Sequence, residues 1–197
     1  MPLWGNSDAD ESKPKNLTTT EKKEVYATAS GWVREAGSAL SGNNNANADV
    51  ELLVAISGLA TNLGAADITE IEWITTAFDK SDGGTLSLRV RFNEAVDVAT
   101  SGGTPYLAVT NGNQGSGSGR GPHNLPYASG TGTNELVFTI TIGAGNAAIA
   151  EDDQLTIGAN AIALNSGTIK DAGTATNSTI TNAAGIGAAA GTITAVA

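Results

Sequence analysis

The stretch TLSLRVRFNEAVDV, residues 85–98, decides the fold class. Leu86, Leu88, Val90 and Phe92 alternate with Ser87, Arg89 and Arg91. Successive side chains of an extended chain point to opposite faces. A period of two therefore gives one apolar and one polar face, the mark of a half-buried strand.

The pattern recurs downstream. In ELVFTITI (135–142), Leu136, Phe138, Ile140 and Ile142 share a face, and Val137 breaks the polar row, which predicts a more central strand. Strands are also predicted at IEWITTAF (71–78), TPYLAVT (104–110), DQLTIG (153–158), NAIALN (160–165) and GTITAV (191–196). Between them lie SDGG, SGG, NGNQGSGSGRGP, SGTGTN and NSG. Glycine reaches positive φ without steric cost, and Asn and Ser bond nearby backbone, so these clusters are turns. Many short strands at this spacing predict an all-β chain, an antiparallel sandwich or barrel. No internal repeat emerges.

Composition narrows the partners. The 197 residues hold ten basic and twenty acidic side chains, a net charge of −10. Phosphate backbones are bound by clustered Lys and Arg. The only adjacent basic pair, Lys22-Lys23, is flanked by Glu21 and Glu24, so no nucleic-acid partner is expected. No apolar run approaches the 18 or so residues a spanning helix needs, so no membrane partner is expected either. With no cysteine, the fold owes nothing to disulfides or thiolate metal sites.

Composition also shifts near residue 60. Residues 1–60 hold four of the six lysines, at 13, 15, 22 and 23, whereas residues 61–197 are rich in Gly, Thr, Ala and Asn. The chain therefore divides into an N-terminal arm and anchoring region, 1–60, and a sandwich, 61–197. Within the first part, Thr18 and Glu21 have the spacing of a capping box. EVYATASGWVRE (24–35) could follow as a helix, but Gly31 and the β-branched residues weaken that reading. A small β-hairpin region, with VELLVAI (50–56) as a second strand, is expected instead.

The opening MPLWGNSDADESKPK lacks the basic start and apolar core of a signal peptide, so this end is expected to stay on the protein. Trp4 then needs a pocket. Aromatic anchors concentrate binding energy at interfaces. Pro2, Leu3 and Trp4 are therefore read as an extended arm docking on a neighbouring subunit. Trp32 joins them as a second aromatic of the same region, and Arg120 as an anchor at the tip of the Gly-rich loop.

Catalytic chemistry finds little support. His123 is the single histidine, and its neighbours GSGSGRGP place it in a loop, read as solvated. Asp79 and Asp82 in DKSDGG lack the alternate spacing of a calcium loop and read as a tight turn. Glu151-Asp152-Asp153 reads as a solvated turn, and Asp171 as a turn cap. GSGSGRG lacks the Gly-Lys-Ser/Thr ending of a phosphate loop. No metal site, no cofactor and no enzymatic activity are expected.

Two resemblances add to this. VRFNEAVDV (90–98), GTPYLAVTNG (103–112), LPYASGTGTNELVFTITI (125–142) and NSGTIKDAGT (165–174) make residues 68–182 similar to bacterial immunoglobulin-like repeats of large surface proteins. The resemblance implies an immunoglobulin-like antiparallel β-sandwich and no enzyme activity. MPLWG (1–5), KPK (13–15), GWVRE (31–35) and ELLVAI (51–56) resemble the amino ends of virion structural proteins of tailed cyanophages, although GSALSGNNNANADV (37–50) departs from their more basic, Gly/Arg-rich pattern. The two together imply a capsid decoration or cement protein, made in the host cytoplasm and localised to the virion. Its partner would be the major capsid protein or another virion protein, and it would be homo-oligomeric or present in many copies. The alternatives are a tail, neck or fibre-associated virion protein, or a bacterial adhesin or carbohydrate-binding module using Tyr106, Tyr127 or Trp73.

Overall fold

The computed structural model describes residues 13–14, 16–38, 44–112 and 123–197. The chain runs α1 (Thr19–Lys23), β1 (Val25–Thr28), β2 (Gly31–Arg34), β3 (Glu51–Ala55), α2 (Leu59–Leu63), β4 (Ile68–Trp73) and β5 (Phe78–Asp79). It continues through β6 (Gly83–Ala99), β7 (Tyr106–Gly112), β8 (His123–Ser129), β9 (Thr133–Gly143), β10 (Gln154–Ala163), β11 (Thr168–Asp171), α3 (Ala184–Ala189) and β12 (Ile193–Val196).

The protein is all-β, as the alternation predicts. Among the described residues one sheet runs β3-β2-β1-β6-β9-β8-β7-β10-β12-β5, with β4 and β11 also pairing with β6. Its pairings are antiparallel except β1 with β6 and β12 with β5. The arrangement is sandwich-like. Leu86, Leu88, Val90 and Phe92 of β6 and Leu136 and Phe138 of β9 share one core with Leu107 and Val109 of β7, Leu125 of β8, and Leu155 and Ile157 of β10.

β6 is the spine. It pairs with β9 row by row from Gly83↔Gly143 to Arg91↔Glu135, then slips, so that the next pair is Val96↔Thr133. The slip frees residues 92–95 for other neighbours. Phe92 pairs with Ile68 of β4, and Glu94 with Ala27 of β1. Asn93 is bound twice to Asp67: its N–H donates to the Asp67 carbonyl at 3.0 Å, and its Oδ1 accepts from the Asp67 N–H at 2.6 Å.

The N-terminal region folds differently in detail from the expectation. EVYATASGWVRE is a hairpin on its own, β1 against β2 with Thr28↔Gly31 closing the turn. Its turn is held by Thr28, whose Oγ1 accepts from the Ser30 N–H at 3.2 Å and donates to the Gly31 carbonyl at 3.0 Å. Gly31 has φ +135°, and an added Cβ would sit 2.0 Å from the Val54 carbonyl oxygen. Only glycine lets β3 approach there, and VELLVAI becomes the third strand of a meander. The Thr18–Glu21 capping box is also real and starts the short α1. Val25, Ala27, Trp32 and Leu59 form a second, smaller core, with Leu17, Leu53, Val54, Ile56 and Leu63 packed on it.

Elsewhere, DQLTIG and NAIALN are one strand, β10, with a register slip between Ile157 and Ile162. The slip contains Asn160 at φ +52°. The run at 71–78 starts earlier than expected, as β4, and breaks after Trp73. β8 escaped the pattern reading because Pro126 lies inside it. Proline is tolerated at the point where β8 changes partner: residues 123–126 pair with β7, and the pairing with β9 starts at Tyr127.

Candidate functional site

β3 forms one end of the sheet order, and among the described residues no strand pairs with its outer side. Val50 and Leu52 are 42% and 51% exposed there. An apolar edge with unpaired backbone groups is a ready template for another chain, and proteins normally cover or charge such edges. Glu51 is the one charge on the strand, and it is engaged by Arg34 at 3.5 Å.

Behind this edge a charged seam fastens the N-terminal layer to the sandwich. Arg91, nearly buried, reaches Glu135 on β9 (2.5 Å), Glu70 and Glu72 on β4 (3.0 and 3.4 Å) and Glu35 just after β2 (3.6 Å). Arg89 lies 3.3 Å from both Glu72 and Glu135. Lys23 of α1 pairs with Glu70. The register explains the ladder: Glu70 and Glu72 oppose Arg91 and Arg89 on one side, and Glu135 opposes Arg91 on the other. Burial opposes the Arg91 charge, but Glu135 and Glu72 outweigh it and hold its pKa above the ordinary value. Burial, then Glu135, lifts the Glu35 carboxyl to about 7 against the pull of Arg91. A cleft of about 510 Å³ beside the seam is lined by Lys13, Lys22, Lys23, Thr69, Glu70 and Ile186, among others.

Of the residues expected to bind a partner, Pro2, Leu3, Trp4 and Arg120 lie outside the described residues. Trp32 is 1% exposed and holds the small core together, so its indole is not offered to a partner in this conformation.

His123 corrects the expectation of a solvated loop histidine. It begins β8 and is buried. Its Nε2 lies 3.2 Å from Asn111 Nδ2, which also donates to Asp153 Oδ2 at 3.2 Å. Desolvation holds the His123 pKa below its ordinary value, with Asp153 opposing. Asn111 stands between histidine and aspartate, so this is a buried bracing network that joins β7, β8 and the start of β10. Asp153 is likewise fully buried rather than solvated. Asp79 does form a tight turn, accepting from the Ser81 and Asp82 N–H groups at 2.8 and 3.3 Å. Among the described residues, no group of three or more His, Cys, Asp or Glu is placed to hold a metal ion.

Two of the three aromatics offered for sugar stacking, Tyr127 and Trp73, are structural. Tyr127 packs edge-on against Phe138, with centroids 6.1 Å apart, and its hydroxyl accepts from the Thr131 N–H at 2.9 Å. Trp73 packs on the main core.

One pair was missed by the pattern reading. Glu94 continues the inward row of β6 between Phe92 and Val96, and is 1% exposed. Among the described residues no donor reaches either of its carboxylate oxygens, and none reaches Asp171 Oδ2. Extending the alternation two residues beyond Phe92 would have found it. Burial, then the neighbouring Asp171, pushes the Glu94 carboxyl up to about 8.

Compared with protein-family models, curated proteins and solved structures, the chain has no match.

Proposed function

We propose that the protein is a non-enzymatic virion component of a tailed phage, a capsid decoration protein that docks on the particle through its N-terminal region and displays the β-sandwich outward. The observation that carries this reading is the β3 edge, unpaired among the described residues, with Val50 and Leu52 half exposed on a layer otherwise clamped to the sandwich. An incoming strand from the major capsid protein would pair with that backbone, and its alternate side chains would cover Leu52. Many copies on one particle add weak contacts by multivalency. The resemblance of residues 1–60 to cyanophage virion proteins supports the same location.

The structural roles of Tyr127 and Trp73 favour this reading over a carbohydrate-binding module. The test is co-sedimentation with DNA-emptied particles of the encoding phage, comparing the full chain, a version lacking residues 1–15, and Leu52→Asp. Loss of binding by Leu52→Asp, with the fold retained by circular dichroism, supports docking through β3. Loss on truncation alone moves the anchor to the arm. Absence of binding by the full chain overturns the reading.

A further inference from the structure

We infer that Glu94 and Asp171 form a binding site for a hard divalent cation, calcium by its chemistry, at the junction of β6, β11 and the N-terminal layer. The inference is independent of the proposed function.

Three observations meet there. First, the strands bring the acids together: Asp171 pairs with Val96, two residues along β6 from Glu94, the Ala172 N–H donates to the Ala95 carbonyl at 3.0 Å, and Asp67 is bonded to Asn93, next to Glu94. Asp171 and Asp67 both act on the Glu94 carboxyl. Two such carboxylates present only lone pairs. Second, both residues are 1% exposed, and no donor among the described residues reaches three of their four oxygens. The fourth, Asp171 Oδ1, accepts from Thr174 N–H and Oγ1 at 2.6 and 2.9 Å. This fixes the aspartate and leaves Oδ2 without a donor. Third, no ion pair among the described residues reaches Glu94, Asp171 or Asp67. The contrast is with Arg91, three residues earlier on β6, which gathers four carboxylates.

An unpaired buried carboxylate is strongly unfavourable, so such a group takes up either a proton or a cation. One proton neutralises one of these groups, whereas a divalent cation neutralises both buried ones. The donor set selects the ion. All donors are oxygen: the chain has no cysteine, and its single histidine is held by Asn111 elsewhere in the fold, so the nitrogen and sulfur ligands a transition metal prefers are missing. No third acid joins the pair as a ligand among the described residues, so backbone carbonyls and water must complete the shell. Calcium accepts irregular shells of six to eight oxygens and completes them with backbone carbonyls and water. Magnesium insists on a regular octahedron and keeps most of its water, which suits a buried pair poorly.

The test uses the full chain stripped with EGTA. Calcium is added while melting temperature is followed, and stoichiometry is read by isothermal titration. Three variants are compared: Glu94→Gln, Asp171→Asn and the control Asp79→Asn/Asp82→Asn. The expected result is one calcium per chain and a rise in melting temperature of roughly 5 °C or more at saturation. The rise is lost in both single variants and kept in the control. In EGTA, Glu94→Gln should melt at or above the wild-type temperature, because it removes a buried acid without removing its volume. Three results would each overturn the inference: no binding at millimolar calcium, a shift that survives Glu94→Gln, or failure of both single variants to fold in EGTA.

Discussion

Arg91 on β6 and Glu135 on β9 sit directly opposite each other in the strand register, and their side chains meet at 2.5 Å between Nε and Oε1. That contact anchors a cluster in which one guanidinium serves carboxylates from β4, β9 and the segment after β2. The first consequence concerns stability. Arg91→Met should destabilise the fold by about 3 kcal/mol or more, because the partner carboxylates lose their counter-charge in a partly buried setting. Urea denaturation would measure this. Arg91→Lys should recover only part of the loss, since a single ammonium cannot reach several carboxylates in fork geometry.

A second prediction concerns pH. In calcium-free solution, stability should fall as pH rises from about 4.5 to about 8. Glu35 and Glu94 titrate near 7 and 8 in the folded chain, above their ordinary value of 4.5. Within that window the folded state holds more protons than the unfolded one, so each rise in pH favours unfolding. The fall should be clearest between pH 6.5 and 8, and Glu94→Gln should flatten it. Melting curves taken across the range would show it, and a flat wild-type profile would refute it.

His123 has the opposite sign. Its folded pKa lies below 6.5, so the stability it contributes is present above pH 6.5 and is lost as pH falls through the folded value. His123→Gln should remove this acid-side component and leave the alkaline slope unchanged. Comparing the two profiles below pH 6.5 checks it.

Gly31→Ala should act locally. The substitution forces a side chain into the Val54 carbonyl at a backbone angle that favours glycine, at a cost of more than about 1 kcal/mol. Amide exchange should quicken in β2 and β3 and stay slow in β6 and β9. If protection in β3 were unchanged, the close approach would not matter to the layer.

The strands of the sandwich were legible because its core rows are apolar and alternate, as at Leu86 to Phe92 and Leu136 to Ile142. Legibility stopped where polar residues turn inward. Glu94 occupies a core position that pattern reading assigns to an apolar side chain, and His123 is buried through a network closed by Asn111 and Asp153, distant in sequence. The turn at Thr28–Gly31 was hidden because its neighbours are as β-prone as the strands it joins. For the docking site, the sequence suggested residues 1–60, but only the sheet order singled out β3 as an edge.

The spine strand also has a kinetic consequence. β6 pairs with β1, β4, β9 and β11, and Ala27↔Glu94 and Asp171↔Val96 join residues far apart in the chain. Each such pairing must close a long loop before its contacts repay the lost chain entropy. Chains dominated by distant pairings are slow folders, with time constants of roughly milliseconds to seconds. Until residues 123–143 and 168–171 have left the ribosome, the apolar row of β6 lacks most of its partners. The newly made chain is then exposed to aggregation for longer than a local hairpin would be.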